Sequence, residues 1–69
     1  MEYDEFKAEL KRAKLSVKAF ADILDMNPTS ITNYRRIGSV PKHLATIALL
    51  IAALTERGIS FREIIEKAN

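Results

Sequence analysis

The chain has 69 residues, no cysteine, and 11 lysine and arginine residues against 9 aspartate and glutamate residues, for a net charge of +2 at pH 7. A chain this short forms one domain, residues 1–69, and buries only about 60% of the surface that its unfolded state exposes. The lack of cysteine excludes disulfide frameworks and the thiolate zinc sites of zinc fingers, and it fits a reducing compartment.

The first predicted helix covers roughly residues 2–14. Its apolar side chains recur with a helical period at Tyr3, Phe6, Leu10 and Ala13. Acidic residues favour its amino end and basic residues its carboxyl end, as the helix dipole requires. We interpret this helix as scaffold. Because the amino terminus is acidic and amphipathic, it does not resemble a signal peptide, and we expect a cytoplasmic protein.

Two short helices joined by a tight turn are predicted next. In the first, Ser16 is placed to cap the amino end. Its apolar residues follow a helical period and are Val17, Phe20, Ala21 and Leu24. The second helix covers residues 28–36, with a cap at Asn27 and with Pro28 at the first helical position, where its missing N–H has no cost.

The second of these helices has an unusual composition. Ile31 and Tyr34 are its expected buried anchors, and its other residues are polar or basic apart from the proline that opens it. Four of them each lose about 0.5 kcal/mol of helix propensity relative to alanine: Thr29, Ser30, Thr32 and Asn33. Short hydroxyl and amide side chains are suited to hydrogen-bonding base edges, and such departures from local stability often mark a working site. The alternative interpretation is a solvated surface helix.

Residues 16–36 resemble the helix-turn-helix of the lambda-repressor and Cro-like family, often called the XRE family. In that family a small residue, usually alanine, lies where the two helices cross, and Ala21 matches it. Ile31 and Tyr34 match the branched and the large apolar residues of the recognition helix. The segment 34–41 is similar to the exit of the motif in phage-type repressors, with an aromatic residue, basic residues, a glycine and a proline.

The resemblance implies a compact, all-α bundle of five short helices with the helix-turn-helix at helices 2 and 3. It implies a transcription regulator, specifically a repressor, that binds double-stranded DNA sequence-specifically as a homodimer on a pseudo-palindromic site. No cofactor and no metal are implied. One departure concerns the turn, where Asp25 stands in place of the usual glycine, although aspartate tolerates a left-handed backbone better than most residues do.

The resemblance also implies which residues contact DNA. With helix 28–36 in the major groove, the expected base contacts are made by Pro28, Thr29, Thr32, Asn33 and Arg36. Phosphate contacts are expected at the amino end of the preceding helix and around the motif, from Ser16, Val17, Lys18, Asn27, Ser30, Arg35, Lys42 and His43.

The distribution of charge favours a polyanionic partner more than the net charge does. Residues 26–55 contain no acidic side chain, although they include several basic residues. A second basic cluster precedes the motif and consists of Lys11, Arg12, Lys14 and Lys18. This segregation predicts one face of positive potential. A chance run of neutral residues is the alternative interpretation.

A long helix is predicted to begin at Pro41 and to stop before Gly58. Residues 44–54 are apolar all round apart from Thr46, a pattern typical of a helix without a solvated face. The segment is too short to cross a bilayer. Because a protein of this size cannot surround a central helix completely, we expect part of its apolar surface to contact another molecule.

The last predicted helix begins with a capping box of Ser60 and Glu63 and a hydrophobic staple of Ile59 and Ile64. Its apolar stripe is Phe61, Ile64, Ile65 and Ala68. We predict that the last two helices form a twofold homodimer interface through some of Leu50, Leu54, Ile59, Phe61, Ile65 and Ala68. The alternative is that these residues only close the core of the monomer.

Catalysis is not expected. The single histidine, His43, has no cysteine or second histidine with which to form a typical zinc site, and the chain has no glycine-rich phosphate loop. The main alternative to DNA binding is a small protein-interaction adaptor or antitoxin-like subunit. In that case the apolar region 44–68 would bind a protein, and the helix-turn-helix would be scaffold.

Overall fold

The computed structural model describes residues 1–68, in which five α-helices are joined by short loops. They are α1 (Tyr3–Arg12), α2 (Val17–Ile23), α3 (Pro28–Ile37), α4 (Lys42–Glu56) and α5 (Phe61–Glu66). The radius of gyration is 11.5 Å, close to the value of about 11 Å for a compact domain of this length. The predicted all-α bundle of five short helices is confirmed.

The core lies mainly between α1, α2 and α4. The apolar stripe predicted for α1 is confirmed, since Tyr3, Phe6, Leu10 and Ala13 are all buried. Phe6 and Phe20 are fully buried, and their rings meet edge to face with centroids 5.3 Å apart. The contribution of α4 consists of Leu44, Ala45, Ala48, Ile51 and Ala52. The bundle is therefore organised around the contact of α1 with α4, with α2 attached through Phe20.

Three helices end in the same hydrogen-bonded turn, in which a residue with left-handed backbone follows the last helical residues. After α1, α2 and α4 these residues are Lys14, Asp25 and Gly58, with φ of 59°, 54° and 73°. In each case the next N–H donates to the carbonyl five residues earlier, at 2.8 to 2.9 Å: Leu15 to Leu10, Met26 to Ala21 and Ile59 to Leu54. Asp25 thus adopts the left-handed turn for which glycine is usual.

Several predictions for the carboxyl half are wrong. Ser60 makes no side-chain bond to the first turn of α5, so the capping box does not form; its ψ is 104°, whereas ψ is 165° at Ser16, which does cap. The expected apolar stripe of α5 is incomplete, because Ile64 is 48% exposed and Ala68 is also exposed. An α5 of only 6 residues covers only part of α4. Consequently α4 has a solvated face that includes Leu50.

The first residues of the chain are bonded to the segment after α3. The N–H of Tyr3 donates to the carbonyl of Gly38 at 3.1 Å, and the N–H of Val40 donates to the carbonyl of Met1 at 2.7 Å. These bonds flank an isolated antiparallel bridge between Glu2 and Ser39. The carboxyl end of α3 is therefore held beside the start of α1. Among residues 1–68, no helix has both the length and the hydropathy needed to span a membrane.

Candidate nucleic-acid interface

The helix α3 is attached to the bundle by a narrow apolar face. Ile31 is fully buried and Tyr34 is half-buried, so both expected anchors contact the core. The residues proposed from sequence to reach bases lie mostly on the remaining surface: Thr29, Thr32, Asn33 and Arg36 are exposed, and Pro28 is half-buried. The helix thus presents a row of polar side chains on a fixed support.

The two predicted amino-terminal caps are confirmed. The Oγ of Ser16 accepts a hydrogen bond from the N–H of Ala19 at 3.0 Å, and the Oδ1 of Asn27 accepts one from the N–H of Thr29 at 2.9 Å. Each cap uses an oxygen acceptor. The hydroxyl proton of Ser16 and the NH₂ group of Asn27 therefore remain able to donate to an external acceptor.

The hydroxyl of Thr32 is already engaged within α3. Its Oγ1 lies 3.2 Å from the carbonyl oxygen of Pro28 and 3.1 Å from that of Thr29, to which it donates. This back-bonding is common for threonine inside helices, but a sequence does not reveal which rotamer is chosen. Thr32 consequently offers its methyl group and its oxygen lone pairs, rather than a free donor, to a ligand.

A groove with a volume of about 970 Å³ lies beside this helix. Its wall consists of α1, the start of α2 and the α3 residues Thr32 and Arg35. The basic residues that line it are Lys7, Lys11, Lys14, Lys18 and Arg35, and its acidic residue is Asp4. Its apolar lining includes Tyr3 and Leu10, which are buried. We call this feature the basic groove.

The basic groove contains some of the expected phosphate contacts and adds residues that sequence reasoning missed. Ser16, Val17, Lys18 and Arg35 line it, whereas Asn27, Ser30, Lys42 and His43 are exposed outside it. Lys7 was not expected at the site. A signal for it existed, because Lys7 lies one helical turn before Lys11 and therefore shares a flank of α1 with that residue.

Three acidic side chains line a second, smaller cleft of about 220 Å³ between the end of α2 and α5. Asp22, Asp25 and Glu66 line it together with Arg62. Lys18, near the start of α2, therefore lies in the basic groove. Asp22 and Asp25, at the end of α2 and just after it, lie in this acidic cleft.

Arg12 belongs to neither cleft. Its Nε donates to a carboxylate oxygen of Glu56 at 2.7 Å, and its Nη1 donates to a carboxylate oxygen of Glu9 at 2.6 Å. Both bonds raise the pKa of Arg12 above its ordinary value, and the bond to Glu56 has the larger effect. Arg12 therefore connects α1 to the end of α4, and its charge is matched by acids.

The residues expected at a dimer interface fall into two groups. Leu50 and Ile59 are 59% and 46% exposed, and Ala68 is also exposed. Leu54 and Ile65 are half-buried against the core, and Phe61 is only 8% exposed. Phe61 therefore belongs to the core of the monomer and is a correction to the expected interface. On the last two helices, the interface prediction missed two exposed large apolar residues, Leu49 and Ile64.

No group of three histidine, aspartate or glutamate side chains within residues 1–68 is arranged to hold a metal ion. Comparisons of the chain with protein-family models, with curated proteins and with solved structures give no match.

Proposed function

We propose that the protein binds double-stranded DNA sequence-specifically and acts in the cytoplasm as a transcription regulator, as a repressor. In this proposal α2 and α3 form a helix-turn-helix, and α3 enters the major groove. The observation that carries it is the exposed polar row of α3, anchored from behind by the fully buried Ile31 and bordered by the basic groove. No catalytic step is involved.

Base recognition is assigned to the exposed row. Asn33 can pair bidentately with adenine, and Arg36 can contact guanine or a phosphate. Thr32 suits the thymine methyl group, since its hydroxyl proton is used inside the helix. Thr29 can contact a thymine methyl group or donate to a nearby acceptor. Pro28 makes only apolar contacts at the start of the helix. From Thr29 to Arg36 this row spans about two helical turns, so it reads a few base pairs.

Phosphate binding is assigned to donors that surround the row. Ser16 and Asn27 keep a free donor while they cap their helices. Lys18 and Arg35 lie in the basic groove next to α3. The other phosphate contacts of the proposal are Val17, Ser30, Lys42 and His43. Such contacts position the protein, whereas base contacts specify the sequence.

A homodimer is part of the proposal, because one recognition helix makes too few contacts to select a site alone. The exposed apolar residues of α4, α5 and their connection support it, with Leu50 the most exposed of them. We expect sedimentation of a dimer at tens of micromolar. Leu50→Glu should give a monomer, since a carboxylate would be buried unpaired in the interface.

The control for this dimer prediction is Ile37→Glu. Ile37 is 69% exposed at the end of α3, outside the proposed interface, so this variant should sediment like the wild type. A wild-type protein that is monomeric at tens of micromolar would contradict the dimer.

DNA binding itself is tested by fluorescence anisotropy with a random-sequence duplex at low and high salt. We expect weak binding that falls steeply with salt, because counterions are released from each phosphate that is neutralised. The absence of binding at about 50 mM salt, where electrostatic binding is stronger than at physiological salt, would contradict the proposal. That result would favour the alternative, an adaptor or antitoxin-like subunit that binds a protein through residues 44–68. The observation in favour of this alternative is the exposure of Leu49 and Leu50.

A further inference from the structure

We propose that the DNA-binding surface continues from α3 across the basic groove onto α1, where Lys7, Lys11 and Lys14 bind phosphates of the duplex backbone. This inference rests on the proposed DNA binding and extends the contact surface beyond the helix-turn-helix. It gives α1, which looks like scaffold from sequence alone, a direct part in binding.

The charges of α1 are divided between its two flanks. Lys7 and Lys11 line the basic groove and are one turn apart, about 6 Å along the helix. On the other side of the helix, Glu9 is paired with Arg12, which also binds Glu56. Glu9 therefore neutralises the arginine there, whereas the lysine flank has Asp4 as the one acid that lines the groove and keeps an excess of positive charge.

The cations of the basic groove have no carboxylate partner within residues 1–68, where every ion pair involves Arg12. They are exposed around a partly apolar lining that includes Leu10 and Leu15. Five cations line the groove against the single carboxylate of Asp4, and an excess of one sign of charge above low-dielectric walls concentrates an electric field in a cleft. A polyanion that crosses the groove is attracted by all of them together.

Lys14 supplies an independent observation. It lines the groove and has a left-handed backbone with φ of 59°. That conformation is disfavoured for a residue with a Cβ atom and is unstrained for glycine, which occupies the equivalent position after α4 as Gly58. Lysine is less stable than glycine in this backbone conformation, but it places a cation at the groove. We therefore attribute the presence of lysine at position 14 to its charge.

The test measures the salt dependence of binding to a fluorescent random-sequence duplex. Lys7→Gln combined with Lys11→Gln removes two groove cations while preserving helix propensity. The matched control, Arg57→Gln combined with Lys67→Gln, changes the net charge equally at exposed positions outside the groove. The groove variant should have a slope of log affinity against log salt that is smaller by about two than the wild-type slope.

Stated as affinities, the wild type should lose about 10-fold more between 50 and 200 mM salt than the groove variant does. The control variant should keep the wild-type slope. Equal slopes for the wild type and the groove variant, or an equal loss in the control variant, would overturn the role of α1 while leaving DNA binding by α3 in place. A wild type that does not bind the duplex would overturn both proposals.

The variant Lys14→Gly tests whether Lys14 contacts phosphate or has only a structural role. The substitution relieves the backbone strain, so the melting temperature should rise by roughly 4 °C, while the salt slope falls by about one. A more stable variant with an unchanged slope would show that Lys14 does not contact phosphate and would overturn its place in the proposal.

Discussion

Phe20→Ala is expected to lower the free energy of unfolding by about 3–5 kcal/mol. Phe20 is fully buried and meets Phe6 edge to face, and it is the side chain through which α2 reaches the aromatic centre of the core. Its truncation leaves a cavity that the rigid α1 and α4 cannot fill by relaxation. For a domain of this size, the loss is a large part of a total stability of roughly 3–10 kcal/mol. Urea unfolding followed by circular dichroism measures the change.

The matched control for this stability prediction is Ile37→Ala. Ile37 is also a large apolar residue, but it is 69% exposed at the carboxyl end of α3. Its truncation should change the free energy of unfolding by less than about 0.5 kcal/mol. Similar losses in the two variants would mean that Phe20 does not occupy the tightly packed position described for it.

Asn33→Ala is expected to weaken binding to the cognate duplex by about 1–3 kcal/mol, which is about 5- to 150-fold in Kd. Asn33 is exposed on α3 and assigned to adenine, so the loss should be confined to one base pair, at which sequence preference relaxes. The cognate sequence is first selected from a random pool with the wild type. Affinities for the selected duplex and for its single-base variants then test the assignment.

Lys18→Ala provides the contrast for this binding prediction. Lys18 lies in the basic groove and contacts phosphate in the proposal, so its loss should weaken binding to all sequences and lower the salt slope by about one. Asn33→Ala should leave the slope unchanged, because a base contact releases no phosphate counterion. Equal salt dependence of the two variants would contradict the division of roles.

Features that depend on a few neighbouring residues could be predicted from the sequence. The caps at Ser16 and Asn27 form as expected, because a capping bond joins residues two or three positions apart. The buried residues of α1 follow from periodicity alone. Asp25 was expected to accept a left-handed turn and does so, since the requirement is local to one backbone angle.

Features that depend on how the helices pack could not be predicted. The basic groove brings Lys7 and Arg35 to one surface, although they lie on different helices far apart in sequence. Similarly, the exposure of Leu49 and Ile64 depends on how much of α4 the short α5 covers. Periodicity identifies an apolar face but does not say which neighbour covers it. The engaged hydroxyl of Thr32 depends on a rotamer that sequence does not specify.

The hydrogen bonds between the start of the chain and the segment after α3 have a consequence for folding during synthesis. Met1 is bonded to Val40, and the buried face of α1 packs mainly on α4. When α1 leaves the ribosome, neither of these partners has yet emerged, and an isolated helix of its length is marginal in water. The amino-terminal segment is therefore expected to stay largely unstructured until the segment after α3 and the helix α4 have emerged.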